Sequence, residues 1–295
     1  MLLSILMLPI LEVVIVGSLM GAIGSMAVLG KRVFFSESLS HGTFPGAVLG
    51  VVVGQIFGTN LSLSLFIGAA LCCIPLALLM RYLAGVEGIS ATAAAGIVLT
   101  LGYSMGVFLL RWFQPLPLKV EGFLTGSLLS VNHMDVLSAV IVASLAIMVF
   151  VFFGRKLAYY YFDPVSFRVS HGKGSSPEAL RRNWAPFIAE TLTLSLLCAA
   201  MVVAIPAVGS ILSIALLVAP AAAMQYHAHT FRSMVISSAI AGVVIGAIGL
   251  AIAVQWSLSA GGTIAVVAGL FYLGSRLLGW LQCMSWISPR ERKTI

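Results

Sequence analysis

Nine apolar runs dominate the chain. They fall at about 9–30, 41–58, 62–83, 90–112, 136–153, 187–204, 207–227, 234–254 and 260–281. Crossing the roughly 30 Å hydrocarbon core of a bilayer takes about 20 apolar residues in a helix. Inside lipid every backbone N–H and C=O must be paired within the structure, so only helices and closed barrels can span it. These runs are continuous and do not alternate with period two, which argues against a barrel. The expected fold is all-α, a polytopic transmembrane helical bundle of about nine spans. Short gaps make neighbouring spans antiparallel hairpins. Composition agrees: 60% of residues are hydrophobic and 8% charged, against roughly 25% charged in soluble domains. Too little polar surface exists to cover a soluble particle, and the chain is far too apolar for disorder.

The net charge of +7 acquires its meaning from where the charges fall. With the N-terminus placed outside, only Arg111 and Lys119 of the 16 Lys and Arg lie in outer segments. That asymmetry predicts N-terminus out and C-terminus in. The basic excess is then a topology signal, and no nucleic-acid partner is needed to explain it. The first apolar run has no basic segment before it, so it is read as a span and not a cleaved signal. Cys72, Cys73, Cys198 and Cys283 form no CxxC pair and read as small hydrophobes.

The chain is expected to be one transmembrane domain over 1–295, with a cytoplasmic loop at about 154–186. Asp163-Pro164, Gly172, Gly174 and Pro177 break helices there. Within it, SSPEALRR (175–182) predicts a short helix capped by Ser176. The loop suits docking to a cytosolic partner, and equally an ordinary connector. On the outer side, FLTGSLLSV (123–131) predicts a short interfacial or re-entrant helix.

Ionisable residues within spans are costly and mark function by default. Glu12 and Glu190 lie near span ends and are read as structural. Glu37 and His41 are four residues apart in SESLSH (36–41), so on a helix they share a face. A carboxylate and an imidazole suit a first-row divalent ion. The same pair also fits an acid at a helix start and a buried, hydrogen-bonding histidine. Gly42, Gly46, Gly50, Gly54 and Gly58 follow at intervals of four. This stripe admits a close neighbouring helix, about 100° round from His41. Gly17 and Gly21 repeat the spacing in the first span, which suggests that the two spans pack together. Weaker metal candidates are His227 and His229, which do not share a helical face, and His133 with Asp135 on the outer side. No HExxH, GxSxG or Walker A sequence is present, so the chain is not expected to be an enzyme, nor to bind ATP by that route.

Five segments, in order, resemble the membrane permease of ABC importers for zinc and manganese. They are LGKRVFFSESLSHGTFPGAVLG (29–50), LTGSLLSVNHMDVL (124–137), YFDPVSFRVSHG (161–172), VGSILSIALLVAPAAAM (208–224) and SAGGTIAVV (259–267). The resemblance implies a multi-pass protein of the bacterial cell membrane with no permanently bound cofactor. It implies Mn²⁺ or Zn²⁺ as the transported ion. The implied partners are a second permease copy as a homodimer, a cytosolic ABC ATPase dimer and an extracytoplasmic metal-binding protein. It also implies that Glu37 and His41 line the ion path, and that Asp163, Pro164, Phe167 and Arg168 couple to the ATPase. The chain departs from the family pattern at several places. Glu37 stands for Asp, Val165 for a frequent Glu, Phe167 for a small residue, His171 for Gly, and Ala260 for a frequent Pro. Two alternatives stay open from sequence: an ABC permease for a siderophore or cobalamin-type solute, and an ion-coupled secondary transporter.

Overall fold

A computed structural model of the chain describes residues 2–116, 128, 131–163, 165–167 and 185–287. Among them are ten long or medium helices and no strand: α1 (Leu2–Leu29), α2 (Val33–Gly42), α3 (Phe44–Phe57), α4 (Leu61–Ala84), α5 (Ala91–Trp112), α6 (His133–Phe162), α7 (Ala185–Val208), α8 (Ser210–Met224), α9 (Phe231–Gln255) and α10 (Ala260–Ile287). Polar caps start several of them. The Asn60 side chain accepts from the N–H groups of Ser62 and Leu63, Ser90 from Ala93, and Thr230 from Ser233. Each cap satisfies a backbone donor that the first turn leaves free.

Eight helices among the described residues are long and apolar enough to cross a membrane, with α2 and α3 counted together. The expected run at 207–227 is instead the 15-residue α8, about 22 Å long at 1.5 Å per residue. It begins beside Ser259 and Gly261, at the start of α10. It ends where His227 Nε2 meets Ser275 Oγ at 3.0 Å, well along α10. The two helices therefore run side by side in the same direction.

Three expectations need correction. The second span begins at Val33, not near residue 41. The serines ahead of residue 41 are buried, and each is satisfied within the helix: Ser36, Ser38 and Ser40 hydroxyls donate to the carbonyls of Arg32, Phe34 and Glu37. The expected cytoplasmic loop starts later than 154, because α6 continues to Phe162. At its other end, residue 185 already belongs to α7. The predicted helices at 175–182 and 123–131 lie outside the described residues, save Leu128 and Val131.

The third correction concerns the glycines. Gly17 and Gly21 do not pack on the stripe of α3. They face α9, where a Cβ on Gly17 would lie 2.8 Å from the Gly242 carbonyl oxygen and one on Gly21 would overlap that of Ser238. The stripe packs on α4: a Cβ on Gly46 would sit 2.5 Å from the Gly68 oxygen, and Gly50 and Gly54 abut Ser64. Gly42 meets Leu76 of α4 and Gly102 of α5. Gly58 leaves the stripe. It has open space around it and caps α3 at φ +64, a conformation that glycine adopts without a Cβ penalty. In the absence of a hydrophobic drive inside lipid, such backbone contacts supply much of the helix association.

α1 lies against α9, α8 and α6 and buries Met20, Ile23 and Met26 fully. The outward faces of α4, α6 and α10 carry Leu71, Ile74, Phe152 and Leu270 exposed, as lipid contact requires. Two side-chain bonds fasten the end of the bundle predicted to face the cytoplasm. Arg32, just before α2, forms an ion pair with Glu190 of α7. The Tyr161 hydroxyl of α6 donates to Thr193 Oγ1 of α7 at 2.9 Å. Glu190 thus has the structural role read from sequence.

Candidate metal-ion path

Glu37 and His41 lie on α2, one turn apart. The chain breaks just after them. Pro45 has no N–H, so the carbonyl of His41 loses the donor that a continuous helix would give it at i+4. Thr43 is the one residue between α2 and α3, its N–H bonded to Leu39 O and its hydroxyl to Ser40 O at 3.1 Å. α3 follows at once and packs its glycines on α4. His41 thus stands at the end of α2, beside a cavity.

That cavity has a volume of about 560 Å³. His41 forms one part of its wall, and Leu99 and Tyr103 of α5 another. The α7–α8 junction from Val208 to Leu212 and the start of α10 from Ser259 to Gly262 complete it. The His41 ring meets Tyr103 edge-on, centroids 6.0 Å apart at 89°, and Tyr103 stacks on Phe44 at 6.3 Å. His41 Nδ1 is buried and has no hydrogen-bond partner. A buried polar atom without a partner is rare and calls for an explanation. Glu37 interacts electrostatically with His41 but is half-buried and not part of the cavity wall.

Sequence reading singled out Glu37 and His41 but missed Tyr103. An aromatic within an apolar run carries no signal of its own. It also had no geometric reason to join 208–212 and 259–262 to His41. Their signals are small-residue breaks: Gly209 at φ 90 between α7 and α8, and Gly261-Gly262 at the head of α10. These let two helix ends approach His41 from the far side.

The other candidates are placed apart from this cavity. His227 bonds Ser275, whose hydroxyl in turn donates to Ala223 O at 3.2 Å. This link ties the end of α8 to α10. His229 is two residues on and exposed. His133 is exposed at the start of α6. Asp135 Oδ2 accepts from the Asn132 N–H at 2.8 Å, closing the first turn of α6. No group of three or more His, Cys, Asp or Glu that could hold a metal exists among the described residues. Glu12 was read as a span-end residue, yet it is completely buried and neither carboxylate oxygen has a partner.

At the other end of the molecule, Asp163 follows α6. Its Oδ1 accepts from the Ser166 N–H at 2.9 Å. The hydrogen bonds from Ser166 hold its carboxyl below the usual aspartate range. Phe167 is buried between Tyr159 and Tyr160, with ring centroids 5.5 and 5.6 Å away, both edge-on. The bulk that departs from the family pattern is therefore accommodated by two tyrosines of α6. Pro164 and Arg168 lie outside the described residues.

Residues 3–279 match the ABC 3 transport family. The chain belongs to that family. A relative from Streptococcus gordonii, a manganese import system permease protein, is 24% identical over 283 residues, covering 96% of this chain and 91% of that protein. A Treponema pallidum relative, named a zinc transport system membrane protein, is 30% identical over 264 residues, covering 88% and 84%. Among solved structures, PsaBC from Streptococcus pneumoniae in complex with Fab superposes with a TM-score of 0.76 at 25% identity, covering 92% of this chain and 90% of that one. This ABC 3 family protein is thus a multi-pass membrane permease of the manganese and zinc ABC importer family, as its resemblance implied.

Proposed function

We propose that the chain forms the translocation path of an ATP-driven importer for Mn²⁺ or Zn²⁺, with Glu37 and His41 as transient ligands. The observation that carries this reading is His41 at the cavity wall with Nδ1 buried and unpaired. A nitrogen with no hydrogen bond to give up can take a metal once the ring turns toward the cavity. Glu37, one turn earlier, supplies the negative charge that offsets dehydration of the ion.

Two ligands from one chain are too few for a closed site, since zinc takes about four. A homodimer in which the α2 helices of two copies face each other would gather two Glu and two His. The ion arrives from an extracytoplasmic binding protein and is held only weakly. A conducting site must admit its ion without retaining it. ATP is hydrolysed by a separate ATPase dimer docked at the Asp163–Phe167 turn and the residues beyond it. Its movement shifts α6 and, through the Tyr161–Thr193 bond, α7. The far end of α7 is Val208, in the cavity wall, so a tilt of that helix reaches the ion site.

The test is metal uptake into proteoliposomes holding the permease, its ATPase and its binding protein, with Mn²⁺ and Zn²⁺ offered separately. Wild type should accumulate one ion in an ATP-dependent way. Glu37→Gln and His41→Ala should abolish uptake while the complex still assembles. Normal uptake by either variant would remove that residue from the path. A complex that hydrolyses ATP but moves neither ion would refute the metal assignment.

A further inference from the structure

A second, larger hollow lies away from the proposed ion path. It has a volume of about 650 Å³. α7 forms its floor from Phe187 to Val203, with α4 along one side from Phe66 to Arg81 and α6 on the other at Ser138 and Val142. It shares no residue with the cavity at His41. From Phe66 to Arg81 it runs about 22 Å along α4 at 1.5 Å per residue, most of the roughly 30 Å core. Its lining is mostly apolar, with the hydroxyls of Ser138, Thr191 and Ser195 and a single charge at one end. There Arg81 closes it, the guanidinium carbon 4.5 Å from the centroid of the Phe187 ring. Arg81 is in the last turn of α4, on the side that the charge asymmetry assigns to the cytoplasm.

The charge at this end is unbalanced. Among the described residues the sole ion pair is Arg32 with Glu190. Glu190 stands three residues after Phe187 on the floor helix, yet it is committed to Arg32 and not to Arg81. The groove therefore offers a largely apolar channel of near lipid length, with a cation at its cytoplasmic mouth that no carboxylate among the described residues pairs. Basic pockets between transmembrane helices on that side take anionic lipid head groups, and each Lys or Arg there contributes about 1 kcal/mol.

We propose that this groove binds an anionic phospholipid of the inner leaflet, its acyl chain lying between α4 and α6 and its phosphate on Arg81. The site acts as a seam filler: the lipid chain lies between α4 and α6, each of which packs on α7. It is independent of which solute the permease carries.

The test uses the full chain, purified in detergent and exposed to equal mole fractions of dioleoyl phosphatidylglycerol and dioleoyl phosphatidylcholine. Native mass spectrometry counts the lipids retained. Wild type should retain the phosphatidylglycerol about fivefold over the phosphatidylcholine. Arg81→Gln should bring the two to parity, and Arg81→Lys should keep the preference. Ala77→Phe, which fills the groove and leaves the charge, should lose both lipids there. Equal retention of the two lipids by wild type, or an unchanged preference in Arg81→Gln, would overturn the proposal. So would efficient chain-to-chain cross-linking of Leu78→Cys by a membrane-soluble bismaleimide, because the groove would then be covered by a second copy.

Discussion

Gly46→Ala tests whether close backbone approach, and not side-chain burial, holds the second span. The added methyl would lie 2.5 Å from the Gly68 carbonyl oxygen and overlap Cys72 Cβ. Ordinary contact starts near 3.5 Å, so α3 and α4 must part by about 1 Å. The obstructing oxygen belongs to a helix backbone and cannot rotate away. Overpacking of this kind costs about 1–3 kcal/mol. Gly96→Ala is the control, since a methyl there meets nothing within 4 Å. In a helix interior that change should stabilise by about 0.5–1 kcal/mol. The two variants add the same atom and should move the apparent unfolding midpoint in detergent in opposite directions. Thermal unfolding followed by intrinsic tryptophan fluorescence reads this directly. The α3 shift also reaches His41 through Thr43, so metal uptake should fall in Gly46→Ala more than in Gly96→Ala. If Gly46→Ala is as stable as Gly96→Ala, the glycine stripe is not a packing device.

Three further outcomes follow from particular contacts. Glu12→Leu should raise the apparent unfolding midpoint by the equivalent of about 1–3 kcal/mol, because it removes a buried carboxyl with no partner; a lowered midpoint would mean that the carboxyl has a bound partner. In a double-mutant cycle, Arg32→Gln and Glu190→Gln should show a coupling of about 1 kcal/mol, and additive losses would refute the ion pair. The Asp163 carboxyl titrates below the ordinary aspartate range because Ser166 donates to its charged form. Its contribution to the turn is then present in full above the unfolded-state value and is lost as pH falls through the lower folded value. Asp163→Asn should abolish that acid transition in amide exchange at Ser166, whereas a transition unmoved by Asp163→Asn would assign it elsewhere.

Fold class was legible because the bilayer demands it. Long apolar runs and one-sided Lys and Arg are imposed by the solvent, not by partners, so their pattern along the chain reveals them. Neighbour choice was not legible in the same way. Gly17 and Gly21 have the same spacing as Gly46 and Gly50, yet one pair faces α9 and the other α4. A small-residue stripe states that a helix will come close and does not state which. The start of the second span was hidden for a different reason. Ser36, Ser38 and Ser40 look like loop residues by polarity, but each hydroxyl is spent on a carbonyl three or four residues back. Their polarity is cancelled inside the helix and never reaches solvent.

The candidate site shows the same division. Glu37 and His41 could be found because spacing along one helix is a local property. Tyr103, the Val208–Leu212 junction and the Ser259–Gly262 segment lie 62 to 221 residues from His41 in the sequence, and no local pattern joins them to it. Yet the device that brings them together is local. Pro45 withdraws one hydrogen-bond donor from the carbonyl of His41, Thr43 separates α2 from α3, and the stripe that follows locks α3 onto α4. His41 is thereby fixed at a helix end. Replacing Pro45 by Ala should let α2 run on into α3, restore that bond and swing His41 relative to Tyr103. Metal uptake should then fall while stability changes little, since Pro45 stands in the first turn of α3, where proline is tolerated. Loss of stability together with uptake would instead mean that the break serves packing, and that the position of His41 is a by-product of it.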